Sequence, residues 1–140
     1  MKKILITLIA IIPSFSFSDS LFFGVYTTHF DKNSEWNENN RLLAVETNGY
    51  VFASFVNSHG FSTYLAAKEH KITKYSSLIY GISYGYDARC LKFVSGGCYA
   101  ETYTASFLPA AALKLSVNRG PVSLNAIVAD YVNLSIGFNF

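Results

Sequence analysis

The end of the chain carries the clearest pattern. From Tyr131 to Phe140, Val132, Leu134, Ile136, Phe138 and Phe140 alternate with Tyr131, Asn133, Ser135, Gly137 and Asn139. A period of two places each set on one face of a β-strand. One face is then wholly apolar and the other small or polar, the division expected where lipid lies outside and a lumen inside.

The same alternation, broken by turn signals, divides the rest of the chain. A first strand is predicted from Leu21 to Phe30, with Phe22, Tyr26, Thr28 and Phe30 on one face and Phe23, Val25, Thr27 and His29 on the other. The polar run Asp31 to Asn40 is a loop by composition. Leu43, Val45 and Thr47 alternate with Ala44, Glu46 and Asn48 as the second strand. Asn48-Gly49 then forms the strongest hairpin signal in the chain, since both central residues tolerate positive φ. The third strand is Tyr50 to Asn57, a tight turn follows at Ser58-His59-Gly60, and the fourth runs from Phe61 to about Glu69.

Lys71 to Ser76 is the next connection. Ser77 to Tyr86 forms a fifth strand with Leu78, Tyr80, Ile82, Tyr84 and Tyr86 outward and Ile79, Gly81, Ser83 and Gly85 inward. A long loop covers Asp87 to Ser106, and Phe107 to Val117 is the sixth strand. Asn118 to Pro121 turn the chain into a seventh at Val122 to Ala129, and Tyr131 begins the eighth. A carboxylate facing hydrocarbon is costly, so Glu46 belongs inside with a partner, for which Arg41 is one candidate.

These elements predict an all-β fold, an eight-stranded antiparallel transmembrane β-barrel of the outer membrane. Lys2 and Lys3, the apolar run Ile4 to Ile12, and Ser16-Phe17-Ser18 before Asp19 have the order of a secretory signal peptide, residues 1–18. The apolar run falls short of the ~20 residues a spanning helix needs. Removing 18 of the 140 residues leaves 122 for the barrel, 19–140. At about ten residues per strand, eight strands fit and ten do not.

With 51% hydrophobic, 16% aromatic and only 14% charged residues, the chain is too apolar for a small secreted binding module. A soluble barrel carrier would need polar outward stripes, which Leu78 to Tyr86 contradict. The formal charge of +2, with scattered lysines, excludes nucleic acid as a partner. Cys90 and Cys98, an even pair in an exported chain closing a loop that holds Gly96 and Gly97, predict a disulfide. Two cysteines alone make no zinc site, and no metal or other cofactor is expected.

With a periplasmic N-terminus, odd strands run outward, so the loops at 31–40, 58–60, 87–106 and 129–131 lie on the outer face. His29, Asn57 and Ser58 then share one rim. An imidazole and a hydroxyl meeting there are the minimum for acyl transfer, in which the imidazole takes a proton from an attacking hydroxyl and donors hold the oxyanion. The same residues have an ordinary alternative, since Asn57, Ser58, His59 and Gly60 are common turn residues.

Closure on an aromatic residue, Phe140, resembles outer-membrane barrels in general. Leu108-Pro109, Leu115-Ser116-Val117, Gly120-Pro121-Val122 and the ending Tyr131 to Phe140 resemble the last three strands of the lipid A palmitoyltransferases, eight-stranded enzymes that move an acyl chain from a phospholipid to lipid A. Thr28-His29, Trp36-Asn37-Glu38 and Phe55-Val56-Asn57-Ser58 resemble that family's active-site histidine, its Tyr-Asn-Glu in the first outer loop and its Asp-Ser pair. The resemblance covers most of 19–140, loosely.

The resemblance implies His29 as catalytic base, Ser58 as hydroxyl partner with Asn57 beside it, and an acyl-measuring pocket inside the barrel, which the inward Gly81 and Gly85 suit. It implies Pro109 as a lateral lipid gate, a proline there removing a ladder donor, while an ordinary strand-start proline is the alternative reading of the same residue. The partners implied are a phospholipid and lipid A in the outer membrane, and a monomer is expected. The chain departs from the family in Asn57, which stands where the family has Asp. It departs also in a shorter first outer loop, in a last outer turn without a second proline, and in lacking the N-terminal amphipathic helix. Replacing the acid by an amide, by analogy with a serine-protease triad, lowers the rate on the order of 10⁴-fold. Two readings follow, an outer-membrane acyltransferase and a non-catalytic small barrel that alters the surface or binds a partner through the Cys90 to Cys98 loop. A deacylase would want Ser, His and an acid on the lipid-facing wall, which Ser58-His59 in a turn does not supply.

Overall fold

The computed structural model describes residues 19–30, 37–87 and 104–140. The signal segment at 1–18, Trp36, Cys90 and Cys98 lie outside the described residues. Eight strands, β1 (Ser20–His29), β2 (Leu43–Thr47), β3 (Tyr50–Val56), β4 (Ser62–Lys71), β5 (Ser76–Tyr86), β6 (Ser106–Arg119), β7 (Val122–Val128) and β8 (Tyr131–Asn139), close into one barrel. Each pairs antiparallel with its sequence neighbour, and β1 pairs with β8. Asp19 and Phe140 meet at one rim, where Asp19 N donates to Phe140 O at 3.3 Å and Phe140 N to Asp19 O at 3.0 Å.

The turn chemistry acts as the residue types dictate. Asn48 and Gly49 take φ of 52° and 77°, the two positive values that a two-residue hairpin between twisted strands requires. Along β8, Leu134, Ile136 and Phe138 are exposed on the outer wall while Asn133, Ser135 and Gly137 are buried within. Phe52, Tyr64, Ile82, Phe107 and Leu124 extend the apolar outer wall around the barrel. Inside, Phe22, Ala44, Val51, Ala53, Phe55, Ala67 and Ile79 form the apolar core.

Strict alternation fails in two strands. In β1 the register against β8 shifts between Gly24 and Tyr26, and in β5 the register against β6 shifts between Tyr84 and Tyr86. Each bulge inserts one residue and reverses the facing of everything beyond it. Phe22 is therefore buried inside and Tyr26 exposed outside, although simple alternation puts them together, and Thr27 and His29 turn into the lumen. Tyr86, expected outward beside Tyr84, instead packs against the lumenal core.

Glu46 faces the lumen as expected, but its partner is not Arg41. Lys114 Nζ lies 2.6 Å from Glu46 Oε2 and 3.2 Å from Glu69 Oε1, and it sits 4.5 Å from the centre of the Phe22 ring. The Ser77 hydroxyl donates to Glu69. Arg41 is exposed at a φ of 47° in the segment entering β2. Two carboxylates, one ammonium and a hydroxyl thus cluster inside the lumen toward the rim that carries Asp19 and Phe140, and their mutual pairing is what makes burial of these charges tolerable.

Candidate functional site

Above Phe22 the lumen is hollow. A cavity of about 250 Å³ is lined mainly by apolar side chains, among them Leu42, Val51, Phe55, Leu65, Ile79 and Leu108. That volume lies just below the ~300–1,000 Å³ common for small-molecule sites. Phe22 borders both this cavity and a polar one of about 410 Å³ around Lys114, Glu46 and Glu69. Its ring is the floor between an apolar chamber and a charged one.

The barrel wall beside the cavity is incomplete. β6 pairs with β5 from Ser106 to Leu115, but with β7 only from Leu113 onward, because β7 ends at Val128 opposite Leu113. The outer part of β6 therefore has a neighbour on one side only. Inward Leu108, Ala110 and Ala112 line the cavity, and so do outward Pro109 and Ala111. Both faces of one strand can border one cavity only where that cavity passes the strand's edge. Pro109, which cannot donate to a ladder, is suited to such an edge.

At the rim opposite Asp19 and Phe140, β1, the β3–β4 turn, β5 and β8 bring their polar residues together. His29, buried at the end of β1, pairs in register with Tyr131 at the start of β8, their rings 5.9 Å apart. Tyr131 and Tyr86 both line the mouth of the cavity. The buried Ser58 hydroxyl meets the Tyr86 phenol. His59 lies in the same field, and its pKa is lowered by burial and then by the charge of His29, with Asp87 opposing. The segment leading into β2 reaches this rim: Asn37 N donates to Ser58 O at 2.7 Å and Asn37 Nδ2 to Asn57 O at 3.2 Å. Glu38 accepts from the Thr28 hydroxyl at 3.4 Å.

Asn57 is a correction to the expected catalytic set. Its side chain is 1% exposed, and all four of its hydrogen-bonding positions are used within the fold. Nδ2 donates to Thr63 Oγ1 and to Gly85 O, each at 3.0 Å. Oδ1 accepts from His59 N at 3.0 Å and Phe61 N at 3.1 Å. An amide has two donors and two acceptor positions, so nothing is left to orient an imidazole. Asn57 staples the β3–β4 turn to the β5 bulge.

Gly81 and Gly85 are corrected in the same way, since neither lines the cavity, whose β5 residues are Ile79, Ser83 and Tyr86. A Cβ on Gly81 would meet Ala66 O at 2.2 Å and Ala67 Cα at 2.5 Å, and one on Gly85 would meet Ser62 O at 2.4 Å. Their missing side chains let β4 and β5 close up rather than making room in the lumen. Gly85 also holds a φ of 128°, which side-chain-bearing residues rarely adopt.

Sequence reasoning missed Tyr86, Lys114 and Asn40. Lys114 was accessible to it, because an alternation with Leu113 and Leu115 outward sends it inward. Asn40, whose Nδ2 donates to Val56 O at 3.1 Å beside the cavity, carries only a loop-like signal in sequence. Compared with family models and with curated proteins, the chain matches none.

Proposed function

We propose that this chain is an outer-membrane acyltransferase-like barrel, which seats one acyl chain of a phospholipid in its lumen and passes it to lipid A or a related glycolipid. The observation that carries this reading is the blind apolar cavity, floored by Phe22 and opening sideways past the unpaired edge of β6. An acyl chain can slide in from the bilayer without crossing water. The apolar outer wall supports the membrane setting, because outward apolar residues alternating with inward polar ones on a closed barrel suit a lipid environment. In this setting residues 1–18 are a leader removed on export, and a Cys90–Cys98 disulfide stiffens the outer loop.

With the chain seated, its ester lies at the rim beside His29, Ser58, Tyr86 and Tyr131. The imidazole of His29 takes the proton from the acceptor hydroxyl as that oxygen attacks the ester carbon. The bond from carbon to the glycerol oxygen then breaks, and the proton returns to the departing oxygen. Ser58 supplies a hydroxyl at the reacting end. Asn57 acts here through the fold and not on the imidazole.

The test is a mass spectrum of lipid A from a palmitoyltransferase-deficient Gram-negative host expressing the chain, beside His29→Ala. A new species heavier by one acyl group, lost in His29→Ala, is the expected result. Unchanged lipid A from a correctly inserted barrel would overturn it. The second reading, a non-catalytic small barrel, is favoured by one observation, the complete structural use of the Asn57 amide where an acid would assist the base.

A further inference from the structure

We propose that Tyr86 is a further catalytic residue of this site, its phenol donating a hydrogen bond to the carbonyl oxygen of the seated ester and holding the oxyanion that forms there. The inference rests on the acyltransferase reading and names the donor which that reading leaves unassigned.

Three features of the fold combine to aim this side chain. Tyr84 faces outward and lies 4.7 Å from the Phe107 ring on the outer wall, and two residues on Tyr86 would face the same way. The bulge between Tyr84 and Tyr86 reverses it. That bulge needs Gly85, both for its φ of 128° and because a Cβ would strike the β4 backbone. Its carbonyl is gripped by the Asn57 amide, which is itself fully committed. A tyrosine needed only to fill the wall requires none of this.

The result is a half-buried phenol at the mouth of an apolar chamber, packed on the lumenal core, with the Ser58 hydroxyl against it. Tyr131, the other phenol at the mouth, lies with its ring against His29 and is placed to hold the imidazole. Of the two phenols, Tyr86 is the one left to face the ester. During attack the carbonyl π pair moves onto oxygen, and the Tyr86 O–H donates to that oxygen without giving up its proton. The pair returns as the glycerol oxygen leaves with the proton carried by His29. A donor already in place in a water-poor pocket holds this charge far better than one in bulk water. Asn57 is then a positioning residue for Tyr86.

The experiment uses the full barrel in phospholipid vesicles containing lipid A, with transfer followed by mass spectrometry. Tyr86→Phe is expected to lower kcat by about 10²-fold, the usual effect of removing one oxyanion donor, with KM for phospholipid within a factor of two. Introducing 3,5-difluorotyrosine at position 86, which keeps the shape and strengthens the donor, is expected to retain or raise kcat. Wild-type kcat in Tyr86→Phe, alongside loss in His29→Ala, would overturn the role of Tyr86 and leave the acyltransferase standing. A fall in KM-related binding alone, or equal loss in the difluorotyrosine protein, would make Tyr86 structural. A silent wild type would remove both readings.

Discussion

Asn57 and Gly85, 28 residues apart in the chain, are joined by a 3.0 Å hydrogen bond from the Asn57 amide nitrogen to the Gly85 carbonyl oxygen. This bond ties the β3–β4 turn to the bulge that turns Tyr86 into the lumen. A carboxylate at 57 would keep the two acceptor positions but bring no donor to Gly85 O, and the Thr63 hydroxyl would have to donate to it rather than accept. Asn57→Asp is therefore expected to destabilise the barrel by about 1–3 kcal/mol, the range for stranding buried hydrogen-bonding groups. Urea unfolding in detergent micelles measures this. Faster acyl transfer in Asn57→Asp, with unchanged stability, would instead assign position 57 a direct part in catalysis.

Lys114 is the only cation among the described residues recorded against Glu46 and Glu69. Lys114→Met leaves two carboxylates facing each other in the lumen. The expected loss is about 3–5 kcal/mol, typical of breaking a buried pair by removing one partner. Adding Glu46→Leu should recover part of it. An unchanged denaturation midpoint for Lys114→Met would show that water already solvates the cluster.

Gly81 lies directly across from Ala67 in the β4–β5 ladder. Gly81→Ala forces a methyl group into β4 backbone, and overpacking of this kind destabilises by about 1–3 kcal/mol. The heat-dependent mobility shift of folded barrels on gels reports it. If Gly81→Ala narrowed the acyl-chain preference while leaving stability alone, the glycine would be a pocket residue after all.

Phe22 separates the apolar chamber from the charged one. Phe22→Ala extends the chamber toward Lys114, so longer acyl chains should be accepted where the wild type discriminates against them. Mass spectrometry of transferred chains from mixed-length phospholipids reads the change. An identical chain-length profile would place the floor elsewhere.

His59, in the β3–β4 turn, has its pKa lowered by burial and by His29, with Asp87 acting the other way. A histidine held below its unfolded value near 6.5 favours folding in its neutral form. Its contribution is complete above that value and is lost as the pH falls below it, because the unfolded state then binds the proton more readily. Protection of the amides across 57–61, measured relative to their intrinsic exchange rate at each pH, should fall between pH 7.5 and 5.5 and fall less in His59→Gln. Equal pH dependence in the two proteins would assign the effect to another group.

The order, number and near-complete limits of the strands were legible in the chain, because a period of two and the turn residues are local properties. Asn48-Gly49 bends as its residue types require, and the β8 stripe from Leu134 to Phe138 faces outward as its spacing demands. The facing of Glu46 followed from the cost of putting charge against hydrocarbon. His29 and Ser58 could be placed at one rim by counting strand directions alone.

Closure of the barrel decided the rest. Bulges depend on how two strands pair, so the inward turns of His29 beyond Gly24 and of Tyr86 beyond Gly85 are invisible to alternation within one strand. Lys114 meets Glu46 across 68 residues because β6 and β2 face each other over the lumen. The opening beside Pro109 exists because β7 stops opposite Leu113 while β6 continues, a mismatch that appears only when the two are laid in register. Asn57 reads as a turn residue in the sequence. Its commitment to Gly85 is a tertiary fact, since the acceptor lies on a strand that β4 separates from its own.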